Sequence, residues 1–173
     1  LRSDDGGATW ALAPGSDGQP RFGRPEAGHV HPDVHSVNGH PSSADIVYAP
    51  TGGGFYLSAD GGANWELRYA DCYCRAVWAD PTDPDHLLLS PANDVERNGR
   101  IEESFDAGRS WAEIHTGLEA PWPRALVERF YPVEDALFAV LSDGRVFAAE
   151  IGAWEWRPLF GDLKGVRALA PAV

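Results

Sequence analysis

The sequence predicts an all-β fold assembled from repeated four-stranded antiparallel units, and three observations predict it. An eight-residue turn motif recurs three times, a second and apolar pattern recurs in phase with it, and Gly (19) and Pro (14) interrupt the 173-residue chain at short intervals. Such punctuation favours many short strands over long helices.

The turn motif reads Ser3-Asp4-Asp5-Gly6-Gly7-Ala8-Thr9-Trp10, then Ser58 to Trp65, then Ser104 to Trp111, sharing S-x-D-x-G-x-[T/S/N]-W. A worn fourth copy, Ala149 to Trp156, keeps the final Trp and a shifted Gly152, and the four tryptophans are 55, 46 and 45 residues apart. Each position has a mechanical use. The Asp carboxylate accepts hydrogen bonds from the N–H groups of its own turn, and the Gly admits a positive φ. The Trp opens the next strand with a ring large enough to fill the space between sheets.

The second pattern is Val34-His35-Ser36-Val37, Cys74-Arg75-Ala76-Val77, Pro123-Arg124-Ala125-Leu126 and Val166-Arg167-Ala168-Leu169, at spacings of 40, 49 and 43. Next come the apolar strands Ile46–Tyr48, Leu87–Leu89 and Leu137–Val140, then strands over 54–57, 100–103 and 145–148, and the fourth strand starts at the Trp. Four short strands in ~45 residues, repeated radially, make a β-propeller blade. The chain then divides into the outer end of one blade (1–14), an insertion (15–33), blades over 34–70, 74–116 and 123–160, and the inner strand of a further blade (166–173). The expectation is a partial propeller of about three complete blades and two partial ones, its ring completed by more of the chain or by further copies.

These turns resemble the Asp-box, or bacterial neuraminidase repeat, of sialidases, other glycoside hydrolases, sortilin-type receptors and photosystem assembly factors. The resemblance covers essentially the whole chain and implies that Ser3, Asp5, Gly7, Trp10, Ser58, Asp60, Gly62, Trp65, Ser104, Asp106, Gly108 and Trp111 are structural. It implies little about function, because these families do different things. Sialidases hold the substrate carboxylate with three arginines and use a Tyr–Glu nucleophile pair with an aspartic acid. Arg75, Arg124, Arg167, Tyr73 and Asp33 are the residues here that resemble part of that set. The Phe/Tyr-Arg-Ile-Pro segment that marks the family is absent from the sequence.

Composition narrows the partners. A net charge of −12 repels phosphate backbones, so nucleic acid is not expected. No apolar run reaches the ~20 residues of a membrane-spanning helix, so no membrane partner is expected. No signal-peptide pattern is present, and Leu1 adjoins a motif, so the natural N-terminus is expected to lie upstream. Cys72 and Cys74 point the same way in an extended strand, where a mutual disulfide would be strained.

Candidate chemistry falls in two places. His29, His31, Asp33 and His35 alternate, and an extended chain would put all four on one side. That pattern is open to three readings: a divalent metal site, a metal-free catalytic or binding site, or a hydrogen-bonded polar loop. No cofactor is certain. Aligning the inner strands makes His31, Asp71 and Ala120 equivalent, then Asp33, Tyr73 and Trp122, then His35, Arg75, Arg124 and Arg167. The expected result is a polar rim at the channel mouth, with His35, Tyr73, Arg75, Trp122, Arg124 and Arg167 as ligand-binding residues. Arg forks suit carboxylates and aromatic rings suit sugar faces, so the ligand is a carbohydrate or small anion. The same arginines could instead form ion pairs between blades. A glycoside hydrolase needs two carboxylates at a set separation, for which Asp33 and Asp71 are the candidate catalytic pair. The functions in view are therefore a ligand-binding or scaffold module and a glycoside hydrolase.

Overall fold

A computed structural model describes residues 1–16, 18, 25–161 and 165–170. Within them the chain forms twelve strands and no helix. The first sheet holds β1 (Asn38–His40), β2 (Ser43–Thr51), β3 (Gly54–Ser58) and β4 (Glu66–Ala70). The second holds β5 (Tyr73–Asp80), β6 (Asp83–Ala92), β7 (Glu102–Ser104) and β8 (Ala112–Glu113). The third holds β9 (Val127–Val133), β10 (Ala136–Leu141), β11 (Val146–Glu150) and β12 (Arg157–Leu159). Each sheet is an antiparallel meander in sequence order, the arrangement expected of a blade.

Sheets pack face to face in chain order. Leu87, Leu88 and Leu89 of β6 are fully buried because this strand is covered on both sides. Leu87 and Leu89 join Tyr48, Phe55 and Leu57 of the first sheet, whereas Leu88 joins Val127, Leu137 and Ala139 of the third. A central strand therefore reads as a continuous apolar run rather than an alternation. Full burial of one such Leu contributes roughly 1.5–3 kcal/mol.

A bulge in β5 sorts its side chains. Cys74 pairs with Pro91 and Val77 with Leu89, so one extra residue is accommodated between them. Cys74 and Val77 consequently face the first sheet, while Ala76 and Trp78 face the third. Cys72 and Cys74 are buried free thiols in the same cluster, and burial pushes the Cys74 thiol up.

The three Ser-Asp-Gly-Trp turns are superimposable in their hydrogen bonds. In each, the Ser hydroxyl donates to the Asp carboxylate at 2.8, 2.8 and 2.9 Å, and accepts the Gly N–H at 2.7, 2.8 and 2.8 Å. The carboxylate accepts both the backbone N–H and the side chain of Thr9, Asn64 or Ser110. The indole N–H returns to the Gly carbonyl at 3.1, 3.1 and 3.0 Å. These bonds hold Asp5, Asp60 and Asp106 down at a pKa of about 2, the Thr9, Asn64 and Ser110 side chains being the largest cause.

Several sequence expectations are corrected. The inner strand expected over 34–37 is broken: Val34 makes an isolated bridge to Thr51, and regular pairing begins at Asn38. Residues 123–126 precede β9 instead of forming it. Residues 165–170 carry no strand, although Gly165 packs on Gly144 and Arg167 donates to the Ser142 carbonyl at 3.0 Å. Parts of the expected insertion (17 and 19–24) and inner strand (171–173) lie outside the described residues. No helix among the described residues is long and apolar enough to cross a membrane.

Candidate functional site

The turn between β2 and β3 builds the first half of the site. Thr51 closes it, its hydroxyl donating to the Gly54 carbonyl at 2.7 Å and accepting the Gly53 N–H at 3.1 Å. Gly52 and Gly53 are required by what lies on top of them. A Cβ at Gly52 would sit 2.1 Å from the Asp33 carboxylate, and one at Gly53 2.5 Å from the His31 ring. The Asp33 carbonyl takes the Gly52 N–H at 2.9 Å, which fastens the segment to the turn.

His31 is buried, and its Nδ1 accepts the Asp33 N–H at 3.2 Å. Burial lowers its pKa, outweighing the raising effect of Asp33, and His35 lowers it further. His31 is therefore neutral near pH 7, with its ring proton on Nε2. Asp33 is exposed, with one carboxylate oxygen 3.4 Å from His35 Nε2. The other ring nitrogen of His35, Nδ1, is 2.7 Å from the Cys74 carbonyl of the second sheet and donates to it, since a carbonyl only accepts. Ser36 repeats this link by donating to the Arg75 carbonyl at 3.1 Å.

The second half is β5. Tyr73 lies against His35 with ring centroids 4.6 Å apart. Its hydroxyl accepts from Arg75 Nε at 3.1 Å and Nη2 at 3.0 Å, which leaves its own proton to donate. Arg75 Nη1 is paired with Glu128 on β9. That pair, followed by burial in the opposite sense and then by Tyr73, raises the guanidinium pKa still further. A line of contacts thus runs His31–Asp33–His35–Tyr73–Arg75–Glu128, from the segment ahead of the first sheet to the second and third sheets, with a ring contact at its His35–Tyr73 step.

Of the sequence-predicted residues, the structure brings together His31, Asp33, His35, Tyr73 and Arg75. His29, His31, Asp33 and His35 do not converge as metal ligands, and no group of three or more metal-ligating side chains exists among the described residues. The chain bends at Pro32, and His31 and Asp33 rest on Gly53 and Gly52. The buried Nδ1 of His29 has no hydrogen-bond partner among the described residues. Trp122 is a core side chain, 1% exposed, packed near Phe147 and held by paired backbone bonds to Gly99. It offers no open face for stacking. Asp71 is exposed in the β4–β5 turn at φ 56°.

Arg124 fails for a reason of register. Tyr48, Leu88 and Phe138 occupy one place in the repeat, each facing the residue just before the turn motif: Leu57, Glu103 and Ala148. On the other side they face Asn38, Trp78 and Tyr131. Three residues earlier stand His35, Arg75 and Glu128, so the alignment of Arg124 with Arg75 slips by four positions. Arg124 is exposed ahead of β9, and Arg167 is exposed and bonded to Ser142. Sequence reasoning missed Glu128, Gly52 and Gly53. The run Gly52-Gly53-Gly54, longer than a hairpin needs, was the available signal for close approach of another segment.

No protein-family model and no curated protein matches the chain. Solved structures do. YCF48 from Cyanidioschyzon merolae matches with a TM-score of 0.53 at 17% identity, over 73% of this chain and 36% of its own. YCF48 bound to a D1 peptide matches with a TM-score of 0.53 at 13% identity, over 73% of this chain and 40% of its own. An ancestral GH74 enzyme covers 78% of this chain and 26% of its own at 13% identity, with a TM-score of 0.46. The fold is a partial β-propeller. At such identities the likeness is one of fold, and the chain spans well under half the length of each of these proteins.

Proposed function

We propose that the chain is an Asp-box propeller segment acting as a ligand-binding module, and that its rim over Asp33, His35 and Tyr73 takes a carbohydrate. The observation that carries this reading is the line of contacts from His31 to Glu128, along which Asp33 presents an exposed carboxylate acceptor and Tyr73 a phenol donor. Sugar hydroxyls need such alternating donors and acceptors beside a ring edge. The ligand is neutral rather than anionic, because Arg75, the fork that would have gripped a carboxylate, is already held by Glu128 and Tyr73. A propeller can also seat a peptide, as the YCF48 bound to a D1 peptide illustrates for that protein.

The second reading is a glycoside hydrolase using Asp33 and Asp71. Hydrolases of this type raise one carboxyl so that it can donate a proton.

Saturation-transfer NMR with cellobiose, lactose, maltose and sialyllactose tests the proposal. Neutral disaccharides should give signals that Asp33→Ala and Tyr73→Phe abolish. Binding of sialyllactose alone, or of none of the four, would reject it. Turnover of nitrophenyl glycosides, lost in both Asp33→Asn and Asp71→Asn, would replace binding with hydrolysis.

A further inference from the structure

The sequence contains two Asn-Gly steps, Asn38-Gly39 and Asn98-Gly99, and the fold treats them in opposite ways. Such a step carries its own chemistry. With no side chain on the second residue, its backbone nitrogen can reach the Asn side-chain carbonyl carbon and close a five-membered ring. Closure requires that nitrogen to be unbonded and free to turn.

At Asn98-Gly99 it is neither. The Gly99 N–H is shared between the Trp122 and Ala125 carbonyls, both at 3.1 Å, and the Gly99 carbonyl accepts the Trp122 N–H at 2.8 Å. Gly99 is buried, and a Cβ there would run into the Ala125 carbonyl and Leu126. The step is clamped on both sides.

At Asn38-Gly39 the reverse holds. Both residues are exposed, and a Cβ at Gly39 would meet nothing within 4 Å. Within the described residues β1 pairs with β2 alone. Along β2 the hydrogen-bonding direction alternates from one residue to the next. The Pro50 carbonyl takes the His35 N–H at 3.0 Å, so the backbone groups of Tyr48, two residues earlier, also point at β1. Asn38 pairs with Tyr48 and Gly39 with Val47. Gly39 is therefore in a non-hydrogen-bonded pair, and its N–H faces away from the sheet. The register also shifts immediately after it, between Gly39 and His40. The Asn38 side-chain amide has a single weak anchor, Ser36 Oγ at 3.4 Å.

We propose that Asn38 is a site of spontaneous modification, deamidating to aspartate and isoaspartate, and that the fold protects Asn98 from the same reaction. The Gly39 nitrogen attacks Asn38 Cγ and an N–C bond forms. The Cγ–Nδ2 bond breaks, and the amide nitrogen leaves as ammonia, carrying the Gly39 proton. Water then opens the cyclic imide. Addition at Cγ yields aspartate, and addition at the main-chain carbonyl yields isoaspartate, whose backbone runs through Cβ and Cγ. One ammonia is released and one water taken up, with no oxidation or reduction.

The position gives the reaction a consequence. Asn38 stands between two clasps that join the first sheet to the second: Ser36 to the Arg75 carbonyl at 3.1 Å, and His40 Nε2 to the Asp80 carbonyl at 2.8 Å. Isoaspartate lengthens the backbone between these clasps and adds a negative charge. It therefore loosens the first blade from the second, whatever the rim binds.

The test is to hold the 173-residue chain in mildly alkaline buffer and follow its digest by mass spectrometry. The Asn38 peptide should gain the mass of an amide-to-acid conversion, in two chromatographic forms. It should do so at least about tenfold faster than the Asn98 peptide, where two Gly99 hydrogen bonds must first break. In urea the two steps should convert at similar rates, which assigns the difference to the fold. Gly39→Ala should slow conversion at Asn38 without altering thermal unfolding. Purified isoaspartyl protein should exchange its amide hydrogens over 36–40 faster than Asn38→Asp, which adds the charge without lengthening the backbone. An Asn38 that converts in urea but persists in the folded chain would overturn the proposal, as would equal rates at the two steps in the folded chain. Equal exchange in the isoaspartyl and Asn38→Asp proteins would overturn the loosening of the blades.

Discussion

The turns and the rim are built from the same repeat, yet they obey different rules. The Ser-Asp-Gly-Trp turns reproduce one another bond for bond in all three copies, with Ser-to-Gly distances between 2.7 and 2.8 Å. The rim reproduces nothing: at one repeated position it carries His35, Arg75 and Glu128, each with a different partner. A turn satisfies its hydrogen bonds within eight residues, so the local sequence determines it. A rim residue satisfies its bonds on the neighbouring blade, so its partner depends on how many residues the intervening loops contribute. Repetition of sequence therefore implies repetition of structure only where the interactions are local.

The largest expected effect tests whether the blades depend on one another through the core. Leu88 is fully buried between the second and third sheets. Leu88→Ala should cost about 2–5 kcal/mol in urea unfolding, and the loss should appear in a single cooperative transition. A second transition would show that blades unfold separately, and the interfaces would then matter less than the turns.

The next effect concerns the rim itself. Arg75 and Glu128 are each about three-quarters buried, with side-chain exposures of 28% and 27%. Removing either should cost about 1.5–3 kcal/mol, the range for hydrogen bonds to charged groups. A double-mutant cycle should return most of that as coupling. Additive losses would mean that the two side chains act independently, and the line of contacts from His31 to Glu128 would be broken at its last link.

How much of this was legible follows from the same distinction. The three blades, the turn geometry and the positive φ of Gly7, Gly62 and Gly108 could all be read from spacing and residue type. The seating of His31 on Gly53 and Asp33 on Gly52 could not, because an alternating sequence looks the same whatever turn it rests on. Trp122 read as a rim aromatic, but the backbone pairing with Gly99 turns its indole into the core. Arg124 matched Arg75 letter for letter, and only the pairing of Phe138 with Tyr131 and Ala148 shows the four-residue slip.

A smaller effect separates the turns from one another. Gly108 and Gly7 both adopt left-handed backbone, at φ 80° and 93°. A Cβ at Gly108 would approach the Trp111 ring to 2.9 Å, whereas at Gly7 it would meet only Trp10 at an ordinary 3.8 Å. Gly7→Ala should therefore cost only the conformational penalty of about 1–2 kcal/mol, and Gly108→Ala more than that. Equal losses would indicate that the docked indole shifts freely, contrary to its packing between Phe55 and Tyr69.

The smallest effect is a dependence on acid that belongs to the turns and not to the rim. Asp5, Asp60 and Asp106 are held at a pKa of about 2 in the folded chain against an ordinary 3.8. A carboxyl depressed by folding stabilises the fold fully above its unfolded value and loses that contribution as pH falls toward the folded one. Stability should thus decline between about pH 4 and pH 2 on this account. The carboxylates are exposed, so solvent screens each contribution and the slope per turn is shallow. Asp106→Asn keeps an acceptor for the Ser110 N–H while removing the titration. Its urea midpoint should start below that of wild type at pH 5 and converge with it by pH 2. Parallel curves would place the acid sensitivity elsewhere, in groups that bridge the blades, and would reverse the contrast between a self-contained turn and a shared rim.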